Sequence, residues 1–386
     1  MLFAVAKKGW RFLSGISTRM EKIYGVINAL NINAILLFNP KNIYYLSGFL
    51  KSLFSEESAL LIPLDEEPVL VVPRSEFDRA AETTWIKDVR YYTTYSTGAD
   101  AKKINSILDV LKGVFEEKEL LDKLVGVELQ DIRAALFEGL KKEVPKMGFR
   151  DVSDSIWRIR AVKDIAEIDN IRKAAEIAEK GLRTALELAS PGVSEVEVMS
   201  EVREVLIKSG SQNGEGENRI VSGERSAYPY ASSSSKKIGE NEIVVVVVSA
   251  NYNGYYARLS RTLYTGKPKD KHKEIFDVVK RSFLAAVGEL KPGDGLSKAD
   301  QAARKVIRDC GYEKFFMYPT GSSVGLSLEE PPVITGNTSE VVRAGMVFSI
   351  RPAIYIPRFG GVRIENIVIV DESGGKDIIK VPLETM

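Results

Sequence analysis

Residues 243–262, IVVVVVSANYNGYYARLSRT, constrain this chain more than any other stretch. Five consecutive valines, 244–248, are β-branched and suit a strand far better than a helix. The polar segment Tyr252-Asn253-Gly254-Tyr255 reads as a hairpin turn, and the chain returns as a second strand ending in Leu-Ser-Arg-Thr. Such a hairpin is built to deliver side chains to a site at its end. Yet the places where chemistry would sit hold Val247, Ser249 and Arg258, which are poor acids, bases and metal ligands.

Around this hairpin the chain separates into two textures. Between Thr18 and Val152, helix and strand signals alternate. Helices are expected at 19–30, 42–49, 76–84, about 100–120 and 130–144, with strands at 34–38, 59–64, 68–73, 89–95 and 123–128. That alternation indicates an α/β layer with a mixed or parallel sheet. The second half opens on a helix whose buried stripe is expected at Ile165, Ile168, Ile171, Ala175, Ala178, Leu182 and Ala185. Pro191-Gly192 ends it, and the Ser194 to Glu197 spacing is that of a capping box opening the next helix. Strands at 218–223, 243–249, 255–265, 346–356 and 362–370, with helices near 270–290 and 297–309, give an α+β domain with helices on one side of a curved sheet. The expected division is an extension at 1–17, an α/β domain at 18–153 and the α+β domain at 154–386. The serine run 232–235 reads as a solvated loop, and GEGENR, 214–219, as a turn.

Composition removes several functions. Fifty-four Lys and Arg against 53 Asp and Glu argue against a nucleic-acid binder driven by bulk charge. No apolar run is long enough for a membrane span, and the short apolar stretch 2–6 precedes Lys7 and Lys8, the wrong order for a signal peptide. Cys310 is the only cysteine, so a reducing cytoplasm is expected and Cys310 itself is read as a helix-end residue. His272, the only histidine, lies in the lysine-crowded KPKDKHKEIF and is expected at the solvated surface. With one Cys and one His, Ser-His-Asp, Cys-His and zinc-cluster chemistries have no material to work with. Scarce Gln and Cys beside abundant Lys, Glu, Ile and Val fit a thermophile.

The ordered motifs carry a more specific signal. WRIRAVKDIAEIDNIRKAAEIAEKGL at 157–182 is followed by RIVSGERSAYPY, YNGYYARLSRT, TGSSVGLSLEEPP, AGMVFSIRPAIY and GVRIENIVIV. In this order they resemble the family of methionine aminopeptidases, Xaa-Pro dipeptidases and creatinase, the pita-bread fold. NPKNIYYLSGF at 39–49 is similar to the N-terminal domain of its prolidase and creatinase branch. The resemblance implies a pair of divalent metals, such as Mn, Co or Zn, held by two Asp, one His and two Glu. Matched motif by motif, those places hold Val247, Arg258, Ser322, Arg351 and Glu365, so only the last is a family ligand. The places of two substrate-assisting histidines hold Tyr230 and Glu329. Tyr252, Tyr255, Leu326, Pro332, Tyr355 and Arg363 stand at family positions that would line the cleft.

An arginine offers five donors, no acceptor and a fixed positive charge, so two of them would repel the cations of such a site. No metal, no cofactor and no catalytic residue are therefore expected. Arg258 and Arg351 are expected to face Glu365 and one of Glu329 or Glu330, guanidinium–carboxylate pairs replacing metal–carboxylate bonds. The reading is a non-catalytic relative that binds a peptide or a protein partner. It is expected to be a cytoplasmic homodimer or the partner of an active relative, with no nucleic acid and no membrane. The alternatives are an Xaa-Pro dipeptidase with residual activity and a metal-independent, creatinase-like C–N hydrolase. In the latter, Tyr230 would stand where creatinase has its acid–base histidine, and a phenol with an ordinary pKa near ~10 is a weak base at neutral pH.

Overall fold

Residues 15–52, 55–95, 105–212 and 217–385 are described by the computed structural model, and the chain falls into two units at the Ile159/Arg160 junction. The extension up to residue 14, the start of the helix expected from 100, and residues 213–216 of the Gly-rich turn lie outside the described residues.

The N-terminal unit runs α1 (Ile16–Ala29), β1 (Ala34–Leu37), α2 (Pro40–Ser47), β2 (Ala59–Pro63), β3 (Val69–Pro73), α3 (Arg74–Thr83), β4 (Asp88–Tyr92), α4 (Ile107–Glu117), β5 (Leu124–Val127), α5 (Ala134–Glu143) and β6 (Gly148–Asp151). Its strands form one sheet in the order β4-β3-β2-β1-β5-β6. The β1–β2 and β2–β3 pairs are antiparallel and the rest parallel, the mixed sheet expected from the alternation. Leu36, Leu61, Val71, Leu111 and Val125 meet in its core.

One buried carboxylate in this unit has a measurable consequence. Glu128 accepts hydrogen bonds from the backbone N–H groups of Phe38 and Asn39, at 3.1 and 3.2 Å, and from the Asn42 amide, at the start of α2. Burial outweighs these bonds and pushes its carboxyl up to about 7. A carboxyl raised in the folded state favours folding most below the unfolded value and loses that advantage as pH rises toward 7. The stability of Glu128→Gln relative to the parent is therefore expected to improve by roughly 3 kcal/mol between pH 4 and pH 8. Urea unfolding across that range checks it, and a pH-independent difference would refute it.

The C-terminal unit begins within α6 (Ser153–Ala161) and continues through α7 (Ile165–Leu188) and α8 (Glu195–Lys208). Then follow β7 (Arg219–Ser222), β8 (Ile243–Tyr252), β9 (Tyr255–Tyr264), α9 (Asp270–Gly288), α10 (Ser297–Asp309), β10 (Gly321–Ser323), β11 (Glu330–Ile334), β12 (Val347–Ile350), β13 (Ala353–Ile356), β14 (Gly360–Arg363), β15 (Asn366–Asp371) and β16 (Gly374–Asp377). Strands β7-β8-β9 form one sheet, β11-β10-β12-β15-β16 a second, and β13-β14 a two-stranded ribbon. A bridge from Ser260 to Glu365 joins the first sheet to the segment between β14 and β15.

The valine run is a strand buried on both faces, which is why it does not alternate. Ile243, Val245 and Val247 pack with Tyr264 on one face. On the other, Val248 approaches α7 so closely that a Cβ at Gly181 would lie 3.1 Å from it. Asn253 and Gly254 both have positive φ, as a tight two-residue hairpin requires. The Ser194–Glu197 capping box is present.

Several expectations are corrected. Ile165, the first residue of α7, is 80% exposed and Ile168 is only half-buried; the buried face is the one that Glu167, Ala174 and Ile177 share with Ile171, Ala175, Ala178, Leu182 and Ala185. His272 is buried, not solvated. Its ring stacks on Phe359 at 4.8 Å and lies tilted against Tyr264 at 4.5 Å, while Lys271 and Lys273 beside it are exposed. The serine loop is partly structural, since Ser233 Oγ accepts the Ile220 N–H and Ser234 donates to buried Glu195. The strands expected at 346–356 and 362–370 are each broken, at Arg351-Pro352 and at Ile364-Glu365. Pro352 has no N–H for a ladder, so the long hairpin kinks there. Both breaks place a charged side chain at the bend. Cys310 caps the end of α10, as expected of a helix-end residue.

Candidate functional site

Strand register assembles the site. Arg219 on β7 lies opposite Val247 on β8, Val247 opposite Ser260 on β9, and Ser260 opposite Glu365. Directly opposed residues share a sheet face, and Arg258 shares it too, two residues from Ser260. Val247 contributes an apolar wall there.

At the centre is Glu365, fully buried. Arg258 donates its Nε–H to Glu365 Oε1 at 2.8 Å. Arg363 donates from Nε to Oε2 at 3.2 Å and again from Nη2 at 2.5 Å. The Ser349 hydroxyl donates to Oε1 at 2.5 Å. Burial alone would raise this carboxyl. The combined field of Arg258, Arg363 and Arg351 overcomes burial and holds it well below the usual carboxylate range.

The remaining donors reach outward. Arg258 also binds Glu217 through Nη1 at 2.5 Å and Glu329 through Nη2 at 2.9 Å. Arg351 donates from Nη1 to the Ser322 hydroxyl on β10 at 2.9 Å, and its Nη2 pairs with Glu329 at 3.0 Å. Glu217 and Glu329 mark the solvent side, with side chains 30% and 54% exposed against 4% and 5% for Arg258 and Arg351. Arg219 pairs with Glu217, but its buried Nη2 has no acceptor among the described residues. Burial, then the Arg363 charge, bring its pKa down to about 10, so it remains a cation at neutral pH.

Of the residues singled out from sequence, Arg258, Ser322, Glu329, Arg351, Arg363 and Glu365 are therefore one bonded network with Val247 beside it. Glu330 is not part of it. It turns to the other side of its strand, where Arg160 and Lys163 hold it and the Ser327 N–H donates to it at 2.9 Å. Tyr355 is buried and reaches the network through Tyr318, whose hydroxyl donates to Tyr355 at 3.2 Å and accepts from Arg363 at 3.4 Å. Leu326 and Pro332 are buried. Tyr252 and Tyr255 are corrected: they pair with each other on the α7 side of the hairpin, and Tyr255 bonds Glu167 at 3.2 Å. Tyr230 is 79% exposed and makes no buried acid–base position. The sequence alone did not point to Arg219, Glu217, Tyr318 and Ser349; strand register brings in Arg219 opposite Val247 and Ser349 beside β15, and Glu217 and Tyr318 enter through their bonds to the arginines.

The chemistry of this network is ion pairing. Among the described residues, no group of three or more His, Cys, Asp and Glu is brought together in a way that could hold a metal ion. No helix among them is long and apolar enough to cross a membrane.

Comparison with known proteins fits this architecture. Residues 169–372 match metallopeptidase family M24, and residues 19–162 match the creatinase/prolidase N-terminal domain. The chain is 32% identical to an Xaa-Pro dipeptidase of Pyrococcus furiosus over 369 residues, covering 95% of this chain and 99% of that one. Among solved structures, the prolidase from Pyrococcus horikoshii superposes with a TM-score of 0.85 at 32% identity, covering 96% of this chain and all of that one. An Xaa-Pro dipeptidase from Bacillus anthracis gives 0.86 at 27% identity, covering 96% and 99%. The chain thus belongs to metallopeptidase family M24, in its Xaa-Pro dipeptidase-like branch, with a creatinase/prolidase N-terminal domain before a pita-bread domain.

Proposed function

We propose that this chain is a metal-free, non-hydrolytic member of its family that binds Xaa-Pro peptides. The observation that carries the reading is the Arg258 guanidinium, held 2.8 Å from Glu365 Oε1. A cation already bonds the one carboxylate at the family's ligand positions. Val247 has no lone pair to offer, and Arg258 and Arg351 have no acceptor and stay protonated. This donor set does not fit a divalent pair, and the two fixed positive charges oppose one. Without metal, the water activation that such a pair supplies has no replacement base in the cluster, whose carboxylates are all committed to guanidinium groups. The ligand class follows from the named activity of the relatives, which are Xaa-Pro dipeptidases.

The test is metal analysis of the full chain after incubation with Mn²⁺ or Co²⁺ and dialysis, followed by turnover and thermal-shift measurements with Leu-Pro. The expected results are metal far below one ion per chain, no hydrolysis, and a rise in Tm with Leu-Pro. Stoichiometric metal with stimulated hydrolysis would overturn the reading in favour of a working dipeptidase. Hydrolysis insensitive to chelator would overturn it in favour of metal-independent C–N cleavage.

A further inference from the structure

We propose that Arg258 and Arg351 form a subsite for a ligand carboxylate, and that the Glu329 side chain occupies it as a displaceable internal stand-in. The inference rests on the peptide-binding reading above and names the group by which the peptide is held.

The geometry is that of a gripped carboxylate. One oxygen of Glu329 accepts from Arg258 Nη2 at 2.9 Å and the other lies 3.0 Å from Arg351 Nη2. Two guanidinium groups, one from β9 and one from the bend after β12, thus share a single carboxylate, an arrangement that gives both strength and direction. The two sides of this contact differ in burial. Glu329 is 54% exposed, whereas the arginines are 4% and 5% exposed. An exposed carboxylate gives up little when it swings into water. The arginines cannot follow it. When Glu329 leaves, Arg258 keeps Glu365 and Glu217, but Arg351 keeps only the neutral Ser322 hydroxyl. A buried guanidinium left with no ion-pair partner, and only the longer-range field of Glu365, is costly, so the vacated place draws in another anion.

The wider cluster points the same way. Arg219, Arg258, Arg351 and Arg363 meet Glu217, Glu329 and Glu365, four positive charges against three negative ones among the described residues. The surplus has a location. Arg219, 6% exposed, has a buried Nη2 without an acceptor, and Ser260 Oγ in the same cross-strand row is buried without a partner. With Glu329 displaced the count falls to four positive charges against two, and one ligand carboxylate restores four against three. The C-terminal carboxylate of a short peptide is the source proposed, and a free small carboxylate carries the same chemistry.

Calorimetric titration of the full chain with Leu-Pro, Leu-Pro amide and acetate tests this in the parent, Glu329→Gln and Arg351→Met. Glu329→Gln removes the competing charge at an exposed position with little change of shape, and Glu329→Ser serves as a second variant if the first melts early. The expected result is about tenfold tighter Leu-Pro binding in Glu329→Gln, equivalent to about 1.4 kcal/mol, with no gain for the amide and loss of Leu-Pro binding in Arg351→Met. Unchanged or weaker binding of both Leu-Pro and acetate in the Glu329 variants would overturn the subsite. Equal binding of Leu-Pro and its amide, insensitive to Glu329, would overturn the subsite and leave the peptide-binding reading standing. Tighter acetate binding in Glu329→Gln without any binding of Leu-Pro would support the subsite and remove the peptide reading.

Discussion

Glu365→Ala is expected to lower the unfolding free energy by about 3–5 kcal/mol, the usual cost of removing one partner from a buried ion pair. The cost is large because the buried guanidinium groups of Arg258 and Arg363 bond this carboxylate directly and that of Arg351 lies in its field. Deleting it leaves them facing one another. Glu365→Gln keeps the shape and still fails, since an amide cannot neutralise them. Arg258→Met added to Glu365→Ala should recover part of the loss, because it removes one of the repelled cations. Denaturant unfolding of the four proteins reads this directly. A loss below about 1 kcal/mol for Glu365→Ala, the range of exposed pairs, would show that the network does not hold the strand ends together.

The same carboxylate fixes a pH dependence of known sign. Its folded pKa is depressed, so its stabilisation is complete above the unfolded value near 4.5 and is lost as pH falls below it. The gap between the parent and Glu365→Ala should therefore be constant from pH 8 to 6 and shrink from pH 5 toward pH 2. Glu128 acts with the opposite sign and in a different window, so the two variants separate by pH.

The ordered motifs made the two domains and the hairpin legible in the sequence, because the valine run and the Asn-Gly turn impose local geometry, whereas the break at Pro352 fell inside the strand expected at 346–356. Side-chain direction along a strand is legible too. Tyr255 and Arg258 are three residues apart on one strand, so they must face opposite sides. What no local signal contains is the pairing between strands. Arg219 enters the cluster only because β7 aligns it with Val247, and Ser349 only because β12 brings it beside β15. His272 shows the complementary limit. Its lysine neighbours describe the solvated part of α9 and say nothing of the face that meets Tyr264 and Phe359.

Arg261→Met should cost about as much as Glu365→Ala, roughly 3–5 kcal/mol, for a different reason. Arg261 is fully buried on the α7 side of β9 and uses its guanidinium to tie down the C-terminal segment. Nε donates to Pro382 O at 2.8 Å and Nη2 to Val381 O at 2.7 Å. Nη1 reaches Ser260 O and Asn366 Oδ1 at 2.8 Å each, and Glu365 O at 3.3 Å. Burial pushes its pKa down to about 10, which leaves it charged at neutral pH. Methionine fills much of the volume and satisfies none of these acceptors. Ser260 O keeps the Glu365 N–H and Glu365 O keeps the Ser260 N–H, so the unmet cost falls on Val381 O and the buried Asn366 Oδ1, while exposed Pro382 can turn to water. Hydrogen exchange should then show the amides of 381–385 opening before the rest of the unit. Lysine at 261 restores charge but only a point donor, and should recover less than half of the loss. Because Arg261 holds the backbone of Glu365 while Arg258 and Arg363 hold its side chain, Arg261→Met and Glu365→Ala should be non-additive. Strict additivity in the double variant would separate the tail clamp from the site and sink the idea that one buried segment anchors both.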